Sequence, residues 1–431
     1  MFALADANNF YASCERVFNP TLASKPVAVL SNNDGCVIAR SAECKALGIG
    51  MAEPYFACKE RFARHGVRVF SANFALYGDM SNRLMRLLAE QSGLPIEVYS
   101  IDEAFIDMRQ LAPERQQALA RELCVTALRW LGLPVSIGAG PSKTLAKLAN
   151  RLAKKRGEPV LLDTPSARQQ ALEQTRLADI WGIGRKICFR LQRAGLSNAA
   201  EFAAFDRNWV KQELGLHGER LQLELGGTPC ADLEKHAPKK QVLVSRTFGR
   251  KVTDRQELHE AITHFCVRAA EKLRAQGSLA TWLDTAIYTA PPGGGRRISH
   301  HSGMRGLPRP TNDPRLLADS AWQFIDMIFD PNARYARAGV LAGGLTEDNE
   351  HLQTDLFRQP DQRNKHLWRA VDRINQRWGR DSLHLAAQAG VKTADAKTGG
   401  YPAGKRHWHM NQHHQSPHYT TEWKDLLEIT V

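Results

Sequence analysis

No apolar run in this 431-residue chain is long enough to cross a bilayer, so a membrane partner is not expected. The first residues, MFALADANNFYASCERVF, lack a basic start and meet Asp6 too early for a secretory signal. The eight cysteines are scattered, with no CxxC pair or regular framework, which points to reduced thiols in a cytosol. Acidic residues are the minority: 45 Asp and Glu against 58 Lys and Arg give a net charge of +13. A chain this basic most often meets nucleic acid or an anionic membrane. No amphipathic basic membrane helix stands out, so nucleic acid leads.

What is present reads as a multidomain α/β protein. The length exceeds one core, and 43% hydrophobic with 24% charged residues is ordinary globular composition. FALAD at 2–6, VAVL at 27–30 and CVIA at 36–39 read as strands, the last two around the turn at 32–35. Leu84, Leu87 and Leu88 recur at helical spacing within 81–89; YSIDEAFID, a helix from about 113 to 130 and the strand PVSIGAG at 134–140 follow. Strands and helices thus alternate over the first 165 residues. Residues 166–235 read as helical, with the tight turn WGIG at 181–184. After a linker at 238–240, strand-helix-strand, hairpin and strand-helix-strand suggest a small ferredoxin-like domain. No sequence repeat links the two α/β parts. An amphipathic helix carrying Leu367, Val371, Ile374 and Trp378 precedes a polar tail.

The segment YSIDEAFID at 99–107 sets two adjacent carboxylates, Asp102 and Glu103, in an apolar surrounding. Buried charges are costly unless they are paired or bind a metal. Neighbours on an ideal strand point to opposite faces, so the two acids share a ligand only if SIDEA bends, as between the strands of a hairpin. Asp6, at the end of another strand, supplies a third acid. An all-oxygen set suits Mg²⁺ or Mn²⁺. Read alone, Asp102 and Glu103 fit solvated turn residues better than a metal site, because turns favour Asp.

Three longer motifs bear on that choice. DANNFYASCE at 6–15, YSIDEAFID, and SIGAGPSKTLAKLANRLAKKRG at 136–157 together resemble the Y-family DNA polymerases. NNDGCVIARSAECKALGIG at 32–50 and SPHYTTEWKDLLEITV at 416–431 resemble its UmuC branch, the catalytic subunits of the bacterial SOS mutagenesis polymerase. The resemblance runs nearly end to end. It implies a right-hand polymerase with a ferredoxin-like palm (1–20 and 78–165), small fingers (21–77), a helical thumb (166–237), a ferredoxin-like little finger (241–346) and a C-terminal partner-binding region (347–431).

Residue by residue, the resemblance assigns Asp6, Asp102 and Glu103 as catalytic carboxylates holding two Mg²⁺ ions, with the Ala7 carbonyl as a further ligand. Tyr11 takes the steric-gate position against ribonucleotides, and Phe10 beside it packs under the nucleotide or in the core. Lys45 and Lys154 match the triphosphate contacts. A lysine neutralises phosphate but lacks the bidentate fork of arginine. Several branches have a triphosphate-binding tyrosine where Ala42 stands here, and Arg40 is a candidate substitute only by its nearness in sequence. Lys147, Arg151, Lys155 and Arg156 are either DNA contacts or a solvated helix face.

In WGIGRK, Gly182, Gly184 and Lys186 resemble a helix-hairpin-helix phosphate site, although a plain helix cap is an equal reading. Arg246, Arg250 and Lys251 are candidate phosphate contacts, which position DNA without reading its sequence. QTDLF at 353–357 resembles a sliding-clamp peptide anchored by Gln353, Leu356 and Phe357. The tail histidines (407, 409, 413, 414 and 418) lack zinc-ligand spacing and read as a flexible polar segment, ahead of a docking segment at 419–427.

The resemblance therefore implies error-prone, template-directed addition of dNTPs to primer-template DNA past damaged bases. Its implied partners are a processed UmuD homodimer, RecA bound to ATP and the sliding clamp. A non-catalytic DNA scaffold and a palm-fold nucleotidyl cyclase are the rivals. Intact acids speak against the first, and the basic thumb, little finger and clamp peptide against the second.

Overall fold

A computed structural model gives the fold and describes residues 1–234, 237–290, 299–348, 362–379, 381–388, 411–422 and 425. The chain forms two compact units, Met1–His236 with His413–Val431, and Ala237–Gln412.

The first unit opens with β1 (Phe2–Ala7) and α1 (Phe10–Val17), followed by β2 (Val27–Leu30), β3 (Val37–Arg40), α2 (Ala42–Ala46), α3 (Tyr55–Arg64) and β4 (Arg68–Ser71). Then come α4 (Phe74–Ser92), β5 (Ile96–Val98), β6 (Glu103–Asp107), α5 (Pro113–Leu131), β7 (Val135–Gly140), α6 (Lys143–Arg156) and β8 (Val160–Leu161). Helices α7 (Pro165–Glu173), α8 (Arg185–Arg193), α9 (Ala199–Ala204) and α10 (Arg207–Leu225) complete it. The main sheet runs β5-β6-β1-β7-β8, so the first strand of the chain lies in its middle, antiparallel to β6 and β7. A second sheet, β3-β2-β4, packs with α3 around Leu30, Cys44, Cys58 and Phe62.

Strand alternation sorts the residues of the main sheet. Ala3, Ala5, Ala104, Ile106, Ile137 and Ala139 pack with α4 and α5. Phe2, Leu4 and Phe105 pack on the other side with Ala146 of α6. The approach of α6 needs a bare strand: a Cβ on Gly138 would fall 1.8 Å from the Asn150 amide nitrogen. Helix α4 starts seven residues before the expected Ser81, because Leu76, Tyr77 and Met80 extend its buried stripe back to the Asn73 cap.

The second unit contains β9 (Val242–Val252), α11 (Arg255–Gln276), β10 (Ser278–Ala290), β11 (Ser299–Thr311), α12 (Pro314–Ile328), β12 (Arg334–Gly343), β13 (Thr346–Glu347) and α13 (Gln362–Trp378). Its sheet order is β11-β10-β12-β9, with α11 and α12 sharing one apolar core with it. The expected C-terminal region divides: α13 belongs to this unit and residues from 413 to the first. The tail corrects the expectation of a flexible segment, since Ser416 is buried and His413, His414, Ser416 and Pro417 hydrogen-bond to residues 15–73 of the first unit. No helix among the described residues is long and apolar enough to cross a membrane.

Candidate active site

The end of β1 and the start of β6 bring two acids side by side. Asp6 pairs with Glu103 in the antiparallel register, and the Ala7 amide donates to the Asp102 carbonyl (2.9 Å). β5 and β6 form the hairpin that the sequence suggested, closed by the amides of Tyr99 and Ser100 donating to the Glu103 carbonyl. Asp102 lies just before β6 and accepts from the Ser100 hydroxyl (2.7 Å). Its charge acts on Tyr11 and Cys14, whereas Glu103 meets Asp6 and Lys147. The alternation thus sets the two neighbouring acids on different sides of the strand end. Asp6, Asp102 and Glu103 do not close into one cluster with all ligand atoms within 4.8 Å. Among the described residues only His418, Glu422 and Asp425 do so, in a hydrogen-bonded turn of the tail.

One stripe of α6 supplies cations to three adjacent strands. Lys143 binds Glu97 of β5, Lys147 Nζ lies 2.7 Å from Glu103 of β6, and Lys154 Nζ lies 2.6 Å from Asp6 of β1. Between them, the Asn150 amide donates to the carbonyls of Leu4 (3.1 Å) and Ser136 (2.7 Å). Lys147 also sits 4.3 Å from the ring centre of Tyr99 and 5.4 Å from that of Trp181. A cavity of about 250 Å³ opens here, lined by Asp6, Glu103, Lys147, Asn150, Lys154 and Trp181 among others. The spacing of Lys143, Lys147 and Lys154 fits one face of a helix, and of the three the resemblance assigns a phosphate contact to Lys154 alone. Arg151 pairs with Asp179 (2.6 Å), and Lys155 and Arg156 face solvent.

The electrostatics of the two acids fit a cation. Burial pushes the Asp6 carboxyl up to about 7, with Lys154 opposing and the hydrogen bond to Glu103 adding to the rise. Burial also works against ionised Glu103, yet its hydrogen bonds with Asp6 and Lys147 hold it below the usual range. Asp6 is thus the harder of the two to ionise, and a divalent cation beside it would favour its ionised form. The donors on offer, carboxylates and the Ala7 carbonyl, are all oxygen, as hard divalent ions require.

Tyr11 follows from a turn. Asn9 adopts the left-handed conformation (φ 53°), which asparagine tolerates, and reverses the chain between β1 and α1. The Tyr11 ring stacks on Tyr77 (4.4 Å, 13°) and meets Phe74 edge-on at 6.0 Å. Phe10 points into the core at 3% exposure. Lys45 donates to the Asn9 side chain. Its ammonium is held below the usual lysine range by burial and then by the nearby charges of Arg40 and Lys154. Lys45 and Lys154 therefore both act on Asp6, and Arg40 lies close enough to Lys45 to repel it. Arg40 Nε and Nη1 are buried with no hydrogen-bond partner among the described residues, which sequence reasoning could raise only by proximity to Ala42.

The remaining candidates lie apart from this centre. Gly182 has φ +88°, a conformation suited to glycine, and Gly184 caps α8 with no side-chain hydrogen bond at that end. Lys186 lies in the first turn of α8 and is exposed. In the second unit Arg246, Arg250 and Lys251 are exposed on β9, with Arg250 reaching Glu257 (2.9 Å). Gln353, Leu356 and Phe357 lie outside the described residues, as do His407, His409 and positions 423, 424, 426 and 427 of the expected docking segment.

Residues 5–151 match the impB/mucB/samB family and residues 239–356 its C-terminal domain; residues 365–429 match a domain of unknown function (DUF4113). The chain is 39% identical to Protein UmuC of Salmonella typhimurium, with all of both chains covered. It is 35% identical to Protein ImpB of Salmonella typhimurium over 99% of each chain, and 28% identical to DNA polymerase IV 1 of Bacillus subtilis over 92% of this chain and 94% of that one. Among solved structures, a Y-family DNA polymerase chimera superposes with a TM-score of 0.65 at 21% identity, covering 80% of this chain and all of that one.

Proposed function

The chain belongs to the impB/mucB/samB family, the UmuC branch of the Y-family DNA polymerases, and we propose that it extends primers opposite damaged template bases during the SOS response. It is a DNA-directed DNA polymerase with a right-hand fold, acting on primer-template DNA and dNTPs. In this reading the palm spans 1–20 and 78–165, the fingers 21–77, the thumb 166–237, the little finger 241–346 and the partner-binding region 347–431.

One observation carries the reading: at the strand ends buried Asp6, hydrogen-bonded to half-buried Glu103, is paired with Lys154 and lies within the field of Lys45. Asp6, Asp102, Glu103 and the Ala7 carbonyl would hold Mg²⁺. When bound, two such ions lower the pKa of the primer 3′-hydroxyl and neutralise phosphate charge as the α-phosphorus is attacked. Lys45, Lys154 and Arg40 take the triphosphate and balance the charge of the departing pyrophosphate. Tyr11, braced by Tyr77, crowds C2′ of the incoming sugar and so disfavours ribonucleotides. Gly182, Gly184 and Lys186 of the thumb, and Arg246, Arg250 and Lys251 of the little finger, hold the DNA backbone.

The sliding clamp would take Gln353, Leu356 and Phe357, and a processed UmuD homodimer and RecA-ATP would complete the active assembly. The test is primer extension past an abasic site in Mg²⁺, alone and with those partners, comparing the parent with Asp102→Ala. The parent should extend and the variant should not. Equal extension by both would remove Asp102 from the chemistry, and DNA binding without extension under every condition would leave a scaffold.

A further inference from the structure

Among the described residues the tail packs back against the first unit, and one of its hydroxyls reaches a buried carboxylate. The Ser416 hydroxyl donates to Glu15 Oε1 (3.0 Å), and the Tyr77 hydroxyl donates to the same oxygen (2.7 Å). Tyr77 in turn stacks face to face on Tyr11. Glu15 and Tyr77 are 1% and 0% exposed, and no donor reaches the other oxygen, Glu15 Oε2, among the described residues. A tail hydroxyl is therefore one of two groups satisfying the carboxylate that fixes Tyr77 from behind.

The docking is built from both sides. Asn73, 1% exposed, caps α4 through its side-chain oxygen and donates from its amide to the Ser416 hydroxyl (3.0 Å) and the Pro417 carbonyl (3.0 Å). The amide of His413 donates to Asp34 (2.8 Å). His414 pairs with Ser71 in both directions, its amide to the hydroxyl (3.0 Å) and its carbonyl from the amide (2.9 Å). Tyr419 stacks on Phe18 at 4.7 Å. Asn73 thus ties the tail to the start of the helix that carries Phe74 and Tyr77, the two rings against Tyr11.

We propose that residues 413–419 form an internal strap in which Ser416 is a positioning residue, acting through Glu15 and Tyr77 to hold Tyr11 against the incoming sugar. The inference rests on reading Tyr11 as the sugar gate. Sugar selection at such a gate is a matter of short distances, and a ring held by a hydrogen-bonded carboxylate keeps its place better than one held by packing alone. The strap makes the far end of the chain part of the sugar filter.

The experiment measures the ratio of dNTP to rNTP incorporation efficiency for the full-length chain, in the assembly in which the parent extends a primer. The ratio is internal to each preparation, so a loss of folded enzyme cancels. The variants are Ser416→Ala, Ser416→Thr, Tyr77→Phe and Tyr11→Ala. Ser416→Ala and Tyr77→Phe should each lower the ratio about tenfold, as expected for a lost hydrogen bond to a charged group. Ser416→Thr, which keeps the hydroxyl, should stay near the parent, and Tyr11→Ala should lose most of the discrimination. A parental ratio in Ser416→Ala beside a collapsed ratio in Tyr11→Ala overturns the strap and leaves the gate standing. Equal losses in Ser416→Ala and Ser416→Thr reduce Ser416 to packing and overturn its role. An unchanged ratio in Tyr11→Ala overturns the gate, and this inference with it.

Discussion

In the palm-bearing unit Asp6, Glu15, Asp34, Glu97, Lys143, Glu219 and Glu224 are all buried, whereas Asp313 is the single buried charged side chain described in the unit of the little finger. The palm sheet lines its strand ends with acids and neutralises them from one helix. The little-finger sheet keeps its arginines at the surface, as in the pair of Arg250 with Glu257. Chemistry on phosphate needs charges fixed in a medium where each counts for more than in water. Holding a duplex that must slide needs charges in water, where counterions exchange freely. The first arrangement costs stability and the second costs little.

The widest gap between the two should appear when a pair is broken. Glu97→Ala leaves Lys143 buried without its partner and should destabilise the first unit by about 3–5 kcal/mol. Arg250→Ala, an exposed pair, should cost its own unit no more than about 1 kcal/mol. Amide exchange in β6 and β9 reads the two separately, and equal costs would end the contrast.

A smaller effect should follow pH. Burial raises the Glu15 carboxyl to about 7, against hydrogen bonds from Tyr77 and Ser416 that favour its ionised form. Between its ordinary value near 4.5 and about 7, the folded chain keeps a proton that the unfolded chain releases. Stability from this group is therefore full below 4.5 and is lost as pH rises through 7, by about 3 kcal/mol in all. In urea titrations across that range the parent should weaken by this amount relative to Glu15→Gln. A constant difference between the two would show that Glu15 is ionised throughout.

The smallest effect lies in the little finger. Arg246→Ala should reduce the slope of log DNA affinity against log salt by about 0.9, one phosphate's share, while Asp6→Asn leaves it unchanged. Fluorescence anisotropy with duplex DNA at several salt concentrations measures it. A slope that follows Asp6 rather than Arg246 would assign the backbone contact to the wrong unit.

The sequence made the acids visible because Asp102 and Glu103 interrupt apolar strands, which is a conflict that physics resolves in few ways. It made the alternating α/β elements visible because period and turn residues are local. The position of β1 in the middle of its sheet was not local, nor was the role of Lys147, which looked like one member of a surface charge run. Arg40 showed only as a neighbour of Ala42; its lack of a partner needed coordinates. The tail was misread for the same reason. Residues 413–419 have no helical or strand periodicity, and the partner of Ser416 lies 401 positions away. Polar composition predicts solvation, and only the buried carboxylate at the other end of the contact reverses that.

The central place of β1 sets an order of assembly on the ribosome. Phe2–Ala7 emerges first, yet β6 and β7, its neighbours on either side, follow only after roughly a hundred more residues. At about 5–20 residues per second, an apolar strand bearing Asp6 waits on the order of ten seconds for the strands that cover it, so early folding is open to chaperones and to mispairing. The strap is translated 401 positions after the carboxylate it meets, counted from Glu15 to Ser416. With its role as inferred above, a ribosome that stalls before His413 releases a chain with all three acids in place and an unbraced sugar filter.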